Sequence, residues 1–199
     1  MAKPRIAVII SSTRQARFAD KPAQWLMDKV KDHPELDFEL VDLRDFDLPL
    51  FDEAASNAWV PSQDPRAVRW QQKVAEFDGY LFVLAEYNHG MPASVKNAFD
   101  QDYVGWNRKP VGALAYGSMG GARSLEHLRQ VAVELQMVPL RNAVHIGGSE
   151  FFKVWSGGQN APISEIEGNL ENALKSTLQE LSWWARVLKP AREELKEAA

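Results

Sequence analysis

The first polar segment of the chain combines residue types that bind anions. Residues 11–17 read Ser-Ser-Thr-Arg-Gln-Ala-Arg and lie between a β-branched run, residues 6–10, and a predicted helix start near Asp20. Hydroxyl donors and arginine forks match phosphate oxygens in number and geometry. Free backbone N–H groups at a helix N-terminus favour the same ligand. The segment therefore favours a phosphate site, and the alternative from the residues alone is a hydroxyl-rich helix cap with solvated arginines.

Two further polar segments follow apolar runs and contain groups suited to a flat ligand. Residues 85–92 read Ala-Glu-Tyr-Asn-His-Gly-Met-Pro, in which backbone amides, Tyr87 and Met91 could face a planar heterocycle. Residues 117–121 read Gly-Ser-Met-Gly-Gly, and glycine permits positive φ and close approach of the backbone to a ligand. Taken singly, each segment is equally explained as a turn that leads into a helix.

The elements that must position these segments alternate between strand-like and helix-like patterns. Short apolar runs predict strands, and apolar residues at helical spacing predict helices between them. The predicted strands cover residues 6–10, 38–41, 79–84, 111–116 and 139–146, and the predicted helices begin near residues 20, 68, 92, 125 and 164. We expect Pro190 to break or end the last helix.

Five strand–helix units of this length predict an α/β fold. The expected architecture is a flavodoxin-like, doubly wound, five-stranded parallel sheet of order 2-1-3-4-5 with helices on both faces. A Rossmann dinucleotide-binding domain is the nearest alternative, but residues 11–17 contain no glycine and therefore no G-x-G-x-x-G motif. Because ligands of open parallel sheets bind at the carboxyl ends of the strands, we expect the three polar segments to lie together at one edge.

Length and composition set further bounds. The chain has 199 residues, which predicts a single domain over residues 1–189 followed by a charged tail, residues 190–199, that frays. There is no cysteine, which excludes disulfides, thiolate metal ligands and a cysteine nucleophile, so that redox chemistry would need a bound carrier. The net charge of −4 argues against a nucleic-acid partner. The four histidines show no metal-ligand spacing, so we expect no metal.

Targeting signals and membrane spans also bear on location. The amino-terminal apolar run, residues 6–10, is shorter than a signal peptide requires, and no stretch approaches the length of a membrane helix. We therefore expect a cytoplasmic protein with no membrane partner.

The polar segments and their neighbours resemble the motifs of one known family. The matching residues are Ser12-Thr13-Arg14 with Arg17, Glu86-Tyr87-Asn88 with Pro92, Lys96-Asn97-Ala98-Phe99-Asp100, and Gly117 with Gly120-Gly121. Over residues 5–146 the chain resembles the NAD(P)H-dependent FMN reductases. It departs from their pattern at Ser11, where glycine is common, at Ala85, where proline is frequent, and at Gly90, where serine is frequent.

The resemblance implies noncovalently bound FMN. The residues implied to hold the phosphate are Ser12, Thr13, Arg14 and Arg17. The residues implied to surround the isoalloxazine are Glu86, Tyr87, Asn88, His89, Gly117, Ser118, Gly120 and Gly121. No catalytic side chain is predicted, because the flavin itself carries the hydride transfer.

The resemblance also implies an activity and an assembly. NADPH or NADH would reduce the flavin, which would pass electrons to a small-molecule acceptor: free flavin, a quinone, an azo compound or a metal oxyanion. Relatives of this kind form homodimers or homotetramers through the helix after the second segment, and Phe99 and Trp106 are the predicted interface residues. Two alternatives stay open, a flavodoxin-like electron carrier that is not an enzyme and a phosphate-ligand binding module without flavin.

Overall fold

A computed structural model describes residues 2–197 of the protein, with side chains for residues 2–195. The core of the protein is a parallel sheet. Its strands are β1 (Arg5–Ile10), β2 (Asp37–Asp42), β3 (Gly79–Ala85), β4 (Pro110–Tyr116), β5 (Val138–Pro139) and β6 (Val144–Ile146). The order is β2-β1-β3-β4-β5, and β6 also pairs with β4. All pairings are parallel. The predicted order 2-1-3-4-5 is confirmed.

Helices connect the strands and cover the sheet. They are α1 (Asp20–Val30), α2 (Pro65–Ala75), α3 (Ala93–Asp100), α4 (Ala122–Glu134), α5 (Gly148–Val154) and α6 (Glu167–Glu197), with 3-10 turns at Leu43–Phe46, Val104–Trp106 and Ile163–Glu165. The start of α2 is fixed by its own residues. The Asp64 carboxylate caps the helix by accepting the backbone N–H of Arg66 at 2.8 Å, and Pro65 occupies the first turn. No helix within residues 2–197 combines the length and apolarity that a membrane span requires.

Alternating side chains of the strands supply two hydrophobic layers. On β1, Ile6, Val8 and Ile10 join a cluster with α1 and α6, whereas Ala7 and Ile9 join a cluster with α2, α3 and α4. Strands β3 and β4 are buried along their whole length, as expected for parallel strands covered on both faces. The central strands therefore hold a rigid edge from which the loops after β1, β3 and β4 emerge.

The fifth strand differs from its prediction. One strand over residues 139–146 is predicted, but β5 and β6 are two short pieces with an irregular stretch between them. In that stretch the backbone N–H groups of Arg141 and Asn142 each donate to the carboxylate of Glu180 at 2.9 Å. A side chain of α6 thus takes the donors that would otherwise continue the ladder.

The expectation that Pro190 breaks or ends the last helix is wrong, because α6 continues through it to Glu197. Residues on both sides of the proline pair with Asp78, directly before β3: Lys189 Nζ lies 3.0 Å and Arg192 Nη2 2.5 Å from its carboxylate. These ion pairs stabilise the helical turn around Pro190, which has no backbone N–H to donate. Residues 198–199, the end of the tail predicted to fray, lie outside the described residues.

The placement of Phe99 and Trp106 at a subunit interface is also wrong. Their exposed fractions are 1% and 0%, and their ring centroids lie 5.1 Å apart in an edge-to-face contact. Trp106 also packs against the ring of Tyr80 on β3 at 4.6 Å. Both side chains are core residues of this chain, so they are inaccessible to a second copy.

Candidate active site

The loops after β1, β3 and β4 meet at the carboxyl edge of the sheet, as expected. The hydroxyl of Ser12 in the first loop lies 2.7 Å from the hydroxyl of Tyr87 in the second. The backbone N–H of Glu86 donates to the carbonyl oxygen of Tyr116, at the start of the third loop, at 3.0 Å. The three loops therefore form one continuous surface.

The first loop begins with a buried serine that fastens it to its neighbours. The Ser11 hydroxyl accepts the backbone N–H of Ala85 at 3.0 Å, and the Ser11 carbonyl accepts the Ser94 hydroxyl at 2.5 Å. Ser11 is fully buried. Its hydroxyl thus ties the end of β3 to the first loop, a contact that glycine at this position lacks.

Arg17 forms ion pairs within the protein. Its guanidinium donates to Asp42 Oδ1 at 2.7 Å, to Asp20 Oδ1 at 2.5 Å and to the Ser12 carbonyl oxygen at 2.8 Å. Burial alone would raise the pKa of Asp42, but hydrogen bonds from Arg17 and from the backbone N–H of Arg44 hold that pKa below its ordinary value. With its side chain 3% exposed, Arg17 fixes the shape of the first loop.

A second arginine, Arg44, bonds to the backbone of the first loop. Its guanidinium donates to the carbonyl oxygens of Thr13 at 3.4 Å and Gln15 at 3.2 Å, and also to that of Arg14. These contacts neutralise the carbonyl dipoles that would repel an anion. Arg14 itself is exposed, and its guanidinium lies 5.5 Å from the ring centroid of Tyr87.

Asp42 and Arg44 were missed by sequence reasoning. They lie at the end of β2 and in the following 3-10 turn, at the same sheet edge as the three predicted loops. An Asp-Leu-Arg sequence directly after a strand is the signal that could have found them. It was overlooked because residues after this strand read as a long irregular connection.

The second loop is a tight two-residue turn. Tyr87 and Gly90 exchange backbone hydrogen bonds at 3.0 and 3.1 Å, and Asn88 and His89 between them have φ of +49° and +68°. Non-glycine residues rarely adopt this left-handed conformation, although Asn and His tolerate it better than most. His89 Nε2 accepts a hydrogen bond from Arg123 Nη1 at 2.8 Å. The turn thus presents Asn88 and His89, both exposed, at its tip.

Glu86 is fastened to the first turn of α4. Its carboxylate accepts the backbone N–H of Arg123 at 3.0 Å and the Arg123 Nε–H at 2.6 Å. Burial alone would raise the pKa of Glu86, but these hydrogen bonds lower it below the ordinary value. The side chain is 5% exposed. Glu86 therefore positions the second loop against α4 through an internal ion pair.

Glycines hold the third loop close to the sheet. Gly120 and Gly121 both have φ of +70°. A Cβ on Gly121 would lie 2.7 Å from the Cβ of Ala115, and one on Gly147 would lie 2.5 Å from the N atom of Gly120. His145 Nδ1 donates to the Gly120 carbonyl at 2.7 Å. Side chains at these positions would break the packing that holds the loop backbone at the edge.

One buried polar atom at this edge, the Tyr116 hydroxyl, makes no hydrogen bond within the described residues. Tyr116 is the last residue of β4 and is 3% exposed. Burial raises the pKa of Tyr116, and the neighbouring Tyr87 side chain raises it further, so the phenol stays protonated.

The predicted site residues differ in their surroundings. Those exposed at the edge are Thr13, Arg14, Asn88, His89 and Ser118. Those bonded to other side chains are Ser12, Arg17, Glu86, Tyr87 and His89. Gly117, Gly120 and Gly121 shape the third loop with positive φ. The edge thus combines hydroxyls, one exposed guanidinium and glycine backbone without side chains, groups that suit a ligand with a phosphate at one end and a planar ring at the other.

Comparison with known proteins agrees with this geometry. Residues 4–150 match the family model described as NADPH-dependent FMN reductase. The chain belongs to this family. The match includes all three edge loops, and the resemblance inferred from the sequence motifs is confirmed. It also places the chain in a family of enzymes that use FMN and NAD(P)H.

Individual relatives agree with the family assignment. This FMN reductase family member is 36% identical over 195 residues to the NAD(P)H-dependent FMN reductase ntnL of Nectria sp, covering 86% of this chain and 97% of the relative. It is 30% identical over 138 residues to an NADPH:quinone oxidoreductase of Arabidopsis thaliana, covering 67% of this chain and 68% of the relative.

Solved structures show the same fold. FerB, a flavoenzyme NAD(P)H:(acceptor) oxidoreductase from Paracoccus denitrificans, matches with a TM-score of 0.66 over 93% of this chain and 98% of its own. At 19% identity this likeness concerns the fold alone. The predicted flavodoxin-like architecture is confirmed.

Proposed function

We propose that this FMN reductase family member binds FMN noncovalently at the carboxyl edge and uses NAD(P)H to reduce a small-molecule acceptor. The acceptor classes are free flavin, quinones, azo compounds and metal oxyanions. The main support is the junction of the three loops, in which the hydroxyls of Ser12 and Tyr87 lie 2.7 Å apart. That junction supports the proposal because it brings the first loop, with its hydroxyls and the exposed Arg14, directly beside the two loops proposed to contact the ring.

The phosphate end belongs to the first loop. Thr13 and Arg14 are exposed there, and Ser12 lies behind them with its hydroxyl on Tyr87. Hydroxyl and guanidinium donors make charge-assisted hydrogen bonds to phosphate. Direct contact of Arg17 with the phosphate stays a prediction, and its bonds to Asp42 support a positioning role.

The ring end belongs to the second and third loops. Asn88 and His89 at the tip of the turn, Ser118, and the backbone of residues 117–121 are the groups available to a planar ring. Glu86 acts behind them by holding the turn to Arg123. This division leaves the Asn88 amide, the His89 imidazole, the Ser118 hydroxyl and backbone groups to face the isoalloxazine.

The chemistry follows from the bound cofactor and its surroundings. FMN supplies hydride acceptance from NAD(P)H and electron transfer to the second substrate. The chain contributes binding and orientation: the first loop anchors one end, and the glycine loop lets backbone groups approach the ring closely. No side chain is assigned as a general acid or base.

The test is the visible spectrum of the purified protein, with identification of the released cofactor, followed by NADPH and NADH oxidation with FMN, ferricyanide or a quinone. We expect flavin absorption bands, released FMN and turnover with at least one acceptor. Retained FMN without turnover on any acceptor would instead indicate an electron carrier. A colourless protein that fails to retain added FMN would refute both flavin functions and favour a phosphate-ligand binding module.

We also propose a cytoplasmic homodimer or homotetramer. Phe99 and Trp106 lie in the core and cannot form the subunit contact. Two apolar side chains in the loop beside α3 support the proposal instead, since Leu50 is 81% and Phe51 38% exposed. Light scattering coupled to size exclusion measures the oligomeric state, and a monomer at micromolar concentration would contradict the proposal. Leu50→Asp is expected to shift the protein towards monomer, whereas the exposed Leu195→Asp on α6 is its control.

A further inference from the structure

A cavity adjoins the tip of the second loop, between that loop and α4. Its volume is about 400 Å³, within the range of small-molecule sites. The residues that line it are His89 from the turn and Ala122, Arg123, Glu126, His127 and Gln130 from α4. The cavity therefore begins at a group proposed to contact the isoalloxazine and continues for about two turns along α4.

The missing side chain at Gly90 brings α4 close to the second loop. A Cβ at this position would lie 3.1 Å from Nδ1 of His127, a tighter approach than side chains normally make. A serine here would therefore shift the His127 imidazole. The departure from the family pattern at Gly90 thus lets His127 form part of the cavity wall.

The imidazole of His89 has its hydrogen-bonding direction fixed by Arg123. Arg123 Nη1 lies 2.8 Å from His89 Nε2, and a guanidinium can only donate hydrogen bonds. His89 Nε2 is therefore the acceptor, and the proton of the neutral ring lies on Nδ1. Arg123 is itself held by the Glu86 carboxylate, to which its Nε–H donates at 2.6 Å. The His89 side chain is exposed, so its Nδ1–H is a donor open to a ligand.

An N–H donor at this place suits an acceptor whose oxygen gains charge. When a quinone accepts a hydride, negative charge develops on a carbonyl oxygen, and a donor already in position stabilises that charge. Ferricyanide takes up an electron without forming a bond to hydrogen, and it presents no carbonyl oxygen to such a donor. The fixed imidazole therefore favours quinones over ferricyanide.

We propose that His89 Nδ1 donates a hydrogen bond to a carbonyl oxygen of a quinone bound at the turn end of this cavity. The proposal rests on the proposed function, because it requires that FMN binds at the carboxyl edge and is reduced by NAD(P)H. In the overall reaction the quinone, NAD(P)H and one proton give the hydroquinone and NAD(P)⁺. The hydride brings both electrons, the remaining proton comes from solvent water, and His89 keeps its own proton.

Removing this donor should slow electron transfer to the quinone more than it weakens quinone binding. The oxygen carries more charge in the transition state than in the bound quinone, so the hydrogen bond is stronger there. A side chain that only shaped the cavity would change the quinone concentration needed for half-maximal rate instead.

The experiment reduces the FMN-loaded protein with NADPH in the absence of oxygen, mixes it with 1,4-benzoquinone or ferricyanide, and follows the return of flavin absorption. His89→Gly removes the imidazole, and glycine adopts the φ of +68° at this position without strain. We expect the limiting rate with benzoquinone, divided by the rate with ferricyanide, to fall roughly tenfold. This ratio is the measured quantity because partial loss of FMN lowers both rates alike.

Two further variants complete the series. His89→Asn keeps an N–H donor and tolerates the left-handed φ, so it should retain more of the ratio than His89→Gly. The matched control is Gln130→Ala, because Gln130 lines the end of the same cavity that lies away from the turn. The control should keep the wild-type ratio.

The tautomer of His89 is measured separately in the cofactor-free protein. Two-bond couplings between the ring protons and ring nitrogens of nitrogen-15 histidine-labelled protein, in mildly alkaline buffer, identify the nitrogen that carries the proton. We expect the proton of His89 on Nδ1. The spectrum of His89→Gly, in which these signals are missing, assigns them.

The other outcomes separate this proposal from the proposed function. A proton on Nε2 of His89, or an unchanged ratio in His89→Gly, would overturn the proposal and leave the proposed function intact. A ratio for His89→Asn as low as that for His89→Gly would also overturn it, since a donor at this position would then have no effect. A wild-type protein that retains no FMN, or whose FMN neither NADPH nor NADH reduces, would refute the proposed function itself.

Discussion

The two arginines of the first loop have separable roles, and substituting each of them tests the structure most directly. Arg17→Ala removes the guanidinium that bonds to Asp42, Asp20 and the Ser12 carbonyl oxygen. Removing one partner of a buried ion pair costs about 3–5 kcal/mol. The Asp42 side chain keeps 21% exposure and a hydrogen bond from the Arg44 backbone N–H at 3.0 Å. We therefore expect a smaller loss, about 2–3 kcal/mol.

This loss is large enough to measure. For a chain of this size 1 kcal/mol corresponds to roughly 2–4 °C in melting temperature. Arg17→Ala should therefore melt about 4–12 °C below the wild type in the cofactor-free protein, and the difference should be larger with FMN bound, because a ligand that binds less tightly stabilises the folded state less. FMN affinity should fall as well, because the first loop loses the hydrogen bond from Arg17 to the Ser12 carbonyl oxygen.

Arg14→Ala should show the complementary pattern. Arg14 is exposed, and its guanidinium lies over the face of Tyr87, so its truncation should leave the free energy of unfolding of the cofactor-free protein unchanged within about 0.5 kcal/mol. FMN binding should weaken roughly tenfold at low salt through loss of a charge-assisted contact. The difference from the wild type should shrink between about 0.05 and 0.5 M salt because of screening.

The assay titrates cofactor-free protein with FMN, following quenching of flavin fluorescence, at several salt concentrations and beside thermal melts, with Gln15→Ala as the matched control. Gln15 lies in the same loop and is exposed but uncharged, so its truncation should change neither quantity. If Arg17→Ala kept the wild-type melting temperature while Arg14→Ala bound FMN normally, the assignment of the two arginines would be wrong.

Three further substitutions test the site and the core. Glu86→Gln should destabilise the protein by about 1–2 kcal/mol at pH 7; because the pKa of Glu86 is lowered in the folded state, this difference should disappear as the pH falls below about 4, which melts at several pH values would measure. Gly121→Ala should lower the free energy of unfolding by about 2–4 kcal/mol and weaken FMN binding, because a left-handed φ of +70° and a Cβ 2.7 Å from that of Ala115 disfavour any side chain; an unchanged denaturant midpoint would contradict the packing of the third loop. Phe99→Ala should cost about 3–5 kcal/mol as a core truncation with the loss independent of protein concentration, whereas an interface residue would give a loss that varies with concentration in denaturant titrations.

Local patterns predicted the sheet well because each pattern has one physical cause. Runs such as Gly79–Ala85 are apolar on both faces, and parallel strands covered by helices are the structures that bury them so. The edge loops follow from that order, since the carboxyl ends of parallel strands meet. The break in the fifth strand was not predictable in this way, because it depends on Glu180, some 40 residues further along the chain.

Charged residues were the weakest part of the prediction. Arg17 and Glu86 have the chemistry of ligand contacts, but the structure pairs them with Asp42 and Arg123, 25 and 37 residues away. Residue type alone leaves open whether a charge faces a ligand or another side chain. The choice depends on which loops the sheet brings together, and that is a property of the whole fold.

The sequence by itself determined the α/β class, the strand order, the three edge loops and the family, because apolar periodicity and short motifs are local properties. Only the tertiary structure decided which of the predicted side chains are available to a ligand. It placed Phe99 and Trp106 in the core, gave Arg17 and Glu86 to internal ion pairs, and left the hydroxyl of Tyr116 unpartnered at the edge. The physical reason is that burial and hydrogen-bond partnership depend on residues distant in sequence, which only the folded chain brings into contact.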